Sequence, residues 1–198
     1  MPKLIVFEGI DGSGKTSLSR LFLQYLTQKN IPAVRLREPT DSALGDKIRR
    51  VAQDNEQISP QQELDYFVQD RRWDVENNIL PALRSGKTVV LDRYFYSNAC
   101  YQGAHGLDIK AIIDLNLAFA PQPDLTFIID VDVDSALARI SGSRPGLAKL
   151  FEKKDFLLKV RGNYLKLAGP HLVHIDGNRD LETVFADIIA SFEKTVNS

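Results

Sequence analysis

Apolar residues fall along the chain in two alternating rhythms. Leu4-Ile5-Val6-Phe7 is a continuous apolar run, as in a strand buried on both faces. After it, Leu18, Leu21, Phe22, Tyr25 and Leu26 recur at i, i+3, i+4, i+7 and i+8, which predicts an amphipathic helix. The alternation then repeats. Ala33–Leu36, Thr88–Leu91, Leu125–Ile129 and Leu172–Ile175 read as further strands. Helices are expected over Ala43–Ala52, from Pro60 through Ile79, over Asp108–Phe119, near Asp134–Ile140, over Glu152–Leu167, and from Leu181 to Phe192 behind an Asp180 cap. Ser59-Pro60-Gln61-Gln62 opens the long helix with a capping hydroxyl, a proline at the first position and a glutamine at the third. Pro81 and Gly86 end or kink it. Ser141 to Leu150 has no periodicity and reads as a mobile loop. Strands separated by helices imply βαβ crossovers. The expectation is an α/β fold: a five-stranded parallel sheet with helices on both faces, one domain over residues 1–198, and a lid at about 141–151. In such sheets ligands sit at the carboxyl ends of the strands.

Composition narrows the partners. The 198 residues carry 25 Lys plus Arg against 26 Asp plus Glu, a net charge of −1. A nucleic-acid polymer requires a basic stripe that displaces counterions, so it is not an expected partner. A local basic pocket remains compatible with the balance. No apolar run reaches the roughly 20 residues of a membrane span, so no membrane partner is expected. The single cysteine, Cys100, cannot form an intrachain disulfide, which suits a reducing cytoplasm.

Gly9-Ile10-Asp11-Gly12-Ser13-Gly14-Lys15-Thr16 fits G-x-x-x-x-G-K-[ST], between an apolar strand and an amphipathic helix as that phosphate-binding loop requires. Its glycines let successive N–H groups converge on one anion, and the helix N-terminus adds partial positive charge. Lys15 is expected on the β- and γ-phosphates of ATP and the Thr16 hydroxyl on Mg²⁺. No Asn-Lys-x-Asp motif for guanine follows. The short chain points to a kinase for a small acceptor.

Asp92-Arg93-Tyr94 follows the third strand at the ligand-facing edge. Asp92 is placed to position Mg²⁺ through water, and Arg93 to grip a phosphoryl oxygen. A structural Asp92–Arg93 ion pair is the competing reading. Ser97, Asn98, Tyr101 and Gln102 then crowd hydrogen-bonding groups into one stretch. On the long helix, Phe67, Arg71, Asp74 and Asn78 share a stripe beside the apolar one, and the aromatic is suited to stack on a base. Against this stand a core role for Phe67 and a solvated surface role for Arg71.

With these residues in view, the segment Val90–Gln102 resembles the signature segment of thymidylate kinases, which phosphorylate dTMP with ATP and Mg²⁺. The P-loop, Arg37-Glu38-Pro39, Phe67 with Asp70-Arg71, and Asp92-Arg93-Tyr94 stand in that family's order and spacing over essentially the whole chain. The resemblance implies that Phe67 stacks on thymine and Arg71 bonds the base, with Asn98 and Gln102 near its edge and methyl group and Ser97 among the substrate-binding residues. It places Asp11, Glu38 and Pro39 near the acceptor sugar and phosphate, and Arg49 and Arg93 on that phosphate. It sets Tyr101 against the sugar 2′ position, and it implies a homodimer. Thr40-Asp41 stand where the family often has Gly-Gly. Because the P-loop has Gly12-Ser13 and no arginine, the lid is expected to supply cations, Arg144 first, then Arg139 and Lys149. Arg161 is placed to orient lid or phosphate contacts, and Gly177-Asn178-Arg179 to border the adenine. Two other readings remain. One is a kinase for a nucleoside or another monophosphate. The other is a degenerate nucleotide-binding module, which would lack Lys15, Thr16 or Asp92, and all three are present.

Overall fold

Five short strands carry the core: β1 (Leu4–Glu8), β2 (Ala33–Arg37), β3 (Thr88–Asp92), β4 (Leu125–Asp130) and β5 (Leu172–Asp176). The computed structural model describes residues 2–54, 57–140 and 147–196, the last segment with side chains from 153 to 195. The strands lie in the order β2-β3-β1-β4-β5, every pair parallel. β1 and β3 are buried at every residue, and β4 at all but its last, as their unbroken apolar runs demand. β2 and β5 are the edges and are only half-buried.

The helices are α1 (Lys15–Gln28), α2 (Ala43–Asp54), α3 (Pro60–Asp74), α4 (Leu80–Arg84), α5 (Phe95–Ala104), α6 (Ile109–Leu117), α7 (Val133–Ile140), α8 (Leu147–Lys166) and α9 (Leu181–Val196). Ser59 caps α3 through a reciprocal box with Gln62. Asp108 and Asp180 cap α6 and α9. One π turn, Val75–Ile79, joins α3 to α4. Pro81 lacks the N–H that an α-helix would aim at Asn77, and the widened turn carries the helix past it.

Two departures from the sequence reading have physical reasons. Phe95–Ala104 is a helix with no amphipathic stripe in sequence, because nearly all of its first turns are buried. Leu147–Leu150 belongs to α8 and not to the expected loop, so the helix begins five residues before Glu152. The rest of that loop and lid, 141–146, lies outside the described residues.

The connection from β1 crosses β3 to reach β2, and the connection from β3 crosses β1 to reach β4. The two leave in opposite directions, so a crevice opens between the carboxyl ends of β1 and β3.

Candidate active site

β1 runs into the loop Gly9–Gly14, and α1 starts at Lys15. Gly12 has φ +82° and a Cβ there would meet the Ala136 carbonyl of α7 at 2.3 Å, so both backbone and packing require glycine. Lys15 folds over the loop, its Nζ donating to the Ile10 carbonyl at 2.7 Å and the Ser13 hydroxyl at 3.3 Å. Burial, and then the charge of Arg93, push its pKa down to about 7. Thr16 Oγ1 donates to Asp92 Oδ2 at 2.7 Å. Above lies a cavity of about 410 Å³ walled by Asp11, Lys15, Thr16, Arg93 and Arg139. Arg139, from α7, reaches the Gly12 carbonyl at 3.4 Å and the Gly177 carbonyl at 3.2 Å. It thereby ties the P-loop to the loop after β5.

At the end of β3, Asp92 and Arg93 diverge. Asp92 pairs with Arg35 of β2 at 2.6 Å. Arg93 adopts φ +72°, an unusual conformation for a side-chain-bearing residue. Its guanidinium pairs with Asp11, donates to Ser97 Oγ at 3.1 Å and lies 5.3 Å from the Tyr101 ring centre. An ion pair between Asp92 and Arg93 is therefore not what holds this turn. Burial raises the Asp11 carboxyl, but Arg93, Lys15 and Lys153 outweigh it and hold the group below its usual range.

A second cavity, about 300 Å³, opens beside the first and shares Asp11 and Arg93 with it. Pro39 and Arg49 form one wall, with Arg49 donating to the Pro39 carbonyl at 3.0 Å. Phe67 of α3 presents an aromatic face, half-buried and not in the core cluster. α5 supplies Ser97, Asn98, Tyr101 and Gln102, which share one face at i, i+1, i+4 and i+5. Tyr101 OH accepts the Asp11 N–H at 3.0 Å, which joins this wall to the P-loop.

Glu38 and Arg71 are not among the residues that line this cavity. Arg71 is 1 % exposed, which removes the surface-charge reading. Its guanidinium pairs with Glu38 and donates to Asn98 Oδ1 at 2.6 Å and Asn116 Oδ1 at 2.7 Å. The pair backs Asn98, and Asn98 faces the cavity. Thr40, where the family often has glycine, gives its N–H and hydroxyl to the buried Asp70 at 2.8 and 2.5 Å.

Several residues escaped sequence reasoning. Glu8 ends β1 fully buried, and its carboxylate accepts from Tyr94 N, Ser97 N, Ser97 Oγ and Tyr164 OH at 2.6–3.0 Å. It thus anchors the N-terminus of α5, where a carboxylate is favoured. The signal was present: an acid closing an otherwise apolar central strand. Ile48 and Ala52 of α2 and Glu63 of α3 also line the second cavity. Glu63 Oε2 accepts from Gln102 at 3.1 Å, pairing two elements far apart in sequence. Arg144 and the Lys149 side chain lie outside the described residues. Arg161 shares a small pocket with Gly9 and Ile10 at the start of the P-loop, but its ion pairs go elsewhere. It forks onto Asp130 at 2.6 and 2.9 Å and onto Asp132 at 2.8 Å, which pins α8 to the end of β4.

A P-loop at a switch point of a parallel sheet, with a second cavity across a shared arginine, defines a P-loop kinase that acts on a small acceptor. The family model described as thymidylate kinase matches residues 7–188. A probable thymidylate kinase of Archaeoglobus fulgidus is 41% identical over 98% of this chain and 96% of its own length. The thymidylate kinase of Desulfotalea psychrophila is 38% identical over 94% and 92%. The crystal structure of thymidylate kinase from Ehrlichia chaffeensis superposes with a TM-score of 0.78 at 29% identity, over 96% of this chain and 98% of that one. The chain belongs to the thymidylate kinase family.

Proposed function

We propose that the chain transfers the γ-phosphoryl group of ATP to dTMP, giving dTDP and ADP. The observation that carries this reading is the wall of Asp11 and Arg93 common to the two cavities, across which two phosphate groups would meet end to end. Gly9, Ile10, Asp11, Gly12, Ser13, Gly14, Lys15 and Thr16 bind ATP, the loop N–H groups and the Lys15 ammonium meeting its phosphates. The Thr16 hydroxyl lines that cavity and the buried Asp92 carboxylate stands directly behind it, and both are hard oxygen donors of the kind that suits Mg²⁺. Thr16 would hold the ion directly and Asp92 through water. Bound Mg²⁺ supplies charge on the phosphate oxygens.

In the acceptor cavity Phe67 stacks on thymine and Asn98 and Gln102 face the base edge. Arg71 and Glu38 act through Asn98. Tyr101 crowds the 2′ position, and Arg49 and Arg93 hold the acceptor phosphate, with Ser97 and Asp11 orienting Arg93. Pro39 closes the side of the sugar. An oxygen of the acceptor phosphate forms a bond to Pγ as the bond from Pγ to the β–γ bridging oxygen breaks. That oxygen is already anionic near neutral pH, so the reaction requires no strong base. Lys15 and Arg93 stabilise the charge spread over the transferred group. Arg144 is proposed to add a further cation. The single-domain assignment, the lid at about 141–151 and a cytoplasmic location complete the reading. The lone cysteine, Cys100, is buried and suits a reducing compartment. Among the described residues no helix is long and apolar enough to cross a membrane. The homodimer is part of the same reading, and the exposed Leu115 and Leu117 of α6 are apolar surface that a second copy could cover.

The deciding experiment is ADP release measured with dTMP, dUMP, UMP, CMP and thymidine as acceptors. dTMP is expected to give the highest kcat/KM. Preference for thymidine or a ribonucleotide would overturn the acceptor assignment.

A further inference from the structure

Arg35 sits on the edge strand β2, two residues before the Arg37-Glu38-Pro39 turn. On an edge strand an arginine ordinarily leans into water. This one turns inward. Its Nε donates to Ser19 Oγ at 2.8 Å and its Nη2 to Asp92 Oδ2 at 2.6 Å. Ser19 Oγ in turn donates to the Thr16 carbonyl at 3.1 Å, and Thr16 Oγ1 donates to the same Asp92 Oδ2 at 2.7 Å. The four residues close a hydrogen-bonded ring that clamps β2, the end of β3 and the first turns of α1. One carboxylate oxygen, Asp92 Oδ2, takes both the guanidinium and the hydroxyl.

We propose that Arg35 is a positioning residue that neutralises Asp92, so that a divalent cation enters the site only together with nucleotide phosphates. The inference rests on the reading above, in which Thr16 and Asp92 face the metal. A hard dication is held mainly by the negative charge of its oxygen ligands. Asp92, in contact with a guanidinium, presents little net charge to an incoming cation. Among the described residues no group of three or more Asp, Glu, His or Cys side chains is assembled to bind a metal alone. The charge that captures Mg²⁺ must then come from the β- and γ-phosphates. The ring serves a second purpose: it keeps the Thr16 hydroxyl and Asp92 in register before nucleotide arrives, so less reorganisation is needed on binding.

Mn²⁺ is the probe, because its free form is counted directly by electron paramagnetic resonance. Nucleotide-free wild-type protein is expected to bind no Mn²⁺ at this site in the micromolar range. Arg35→Met and Arg35→Gln, checked for folding by circular dichroism, are expected to bind one Mn²⁺ about tenfold or more tighter than wild type. Asp92→Asn in the Arg35→Met background is expected to abolish that gain. Arg35→Lys keeps the charge and is expected to return Mn²⁺ binding to the wild-type level. With ATP and dTMP, Arg35→Met is expected to reach half-maximal rate at lower Mg²⁺, with kcat reduced about 10- to 100-fold. Folded variants that bind Mn²⁺ no better than wild type would overturn the proposal, as would tight Mn²⁺ binding by the wild type itself. A fall in melting temperature with unchanged Mn²⁺ binding would make Arg35 a strut only. Since Mn²⁺ binding is read without either nucleotide, it stands or falls apart from the acceptor panel. Failure with dTMP removes the acceptor assignment, and failure here removes the role of Arg35.

Discussion

Phe67 is half-buried against a cavity and Glu8 fully buried, and the consequences of changing them differ accordingly. Phe67 presents its ring to the acceptor cavity, so Phe67→Ala removes a stacking surface while leaving the core intact. Stacking on a base is worth about 1–3 kcal/mol. Steady-state kinetics are expected to show the KM for dTMP raised roughly 10- to 100-fold and the KM for ATP little changed; equal effects on both would move Phe67 out of the acceptor site. Glu8 lines neither of the two site cavities. Its carboxylate gathers four donors from the Tyr94 cap, α5 and α8 in a dry setting, and burial raises its pKa against their pull. Glu8→Gln exchanges one accepting oxygen for a donating amide and leaves donors unpaired. Urea denaturation is expected to show a loss of about 1–3 kcal/mol. Because Glu8 anchors α5, KM for dTMP should rise as well, with KM for ATP less affected.

At the scale of elements, α3 does two jobs. Its middle presents Phe67 to the second cavity, with Arg71 one turn on buried behind Asn98, and its C-terminal end breaks into a π turn. Asp74 stands at that break, buried, with Oδ1 accepting from Asn78 at 2.6 Å and Oδ2 without a partner. Burial pushes its pKa up to about 6, with Asp70 adding to the rise and Asn78 and Arg71 opposing it. A carboxyl raised in the folded state contributes stability that is complete below pH 4, its ordinary range, and is lost as pH climbs through 6. Asp74→Asn removes that titration. Denaturation at pH 4 and pH 8 is expected to show the variant gaining on the wild type by roughly 2 kcal/mol between the two. A constant difference would mean that Asp74 ionises as freely in the fold as in water. The helix α5 shows the complementary point. Its polar face of Ser97, Asn98, Tyr101 and Gln102 was visible as spacing, but the helix itself was not, because burial on the remaining sides left no amphipathic contrast.

For the whole molecule, the exposed Trp73, Leu115 and Leu117 leave α3 and α6 with apolar surface. Sedimentation equilibrium is expected to give about twice the 22.2 kDa of one chain, and Leu115→Lys to shift it toward the monomer. A monomer at micromolar concentration would remove the homodimer. The strand runs, helix periods, caps and P-loop were legible from sequence because each depends on neighbours within a turn or two along the chain. The stripe that holds Phe67 and the crowding of Ser97, Asn98, Tyr101 and Gln102 likewise marked residues that line the second cavity. Tertiary structure alone decided which charges pair. Asp92 chose Arg35 over its neighbour Arg93, and Arg93 chose Asp11. Arg71 went inward to Glu38 and the two asparagines, and Glu8 became the anchor of α5. An ion pair is selected by distance and burial across the sheet, between residues as far apart as 11 and 93. Such encounters leave no period in the sequence for a local reading to find.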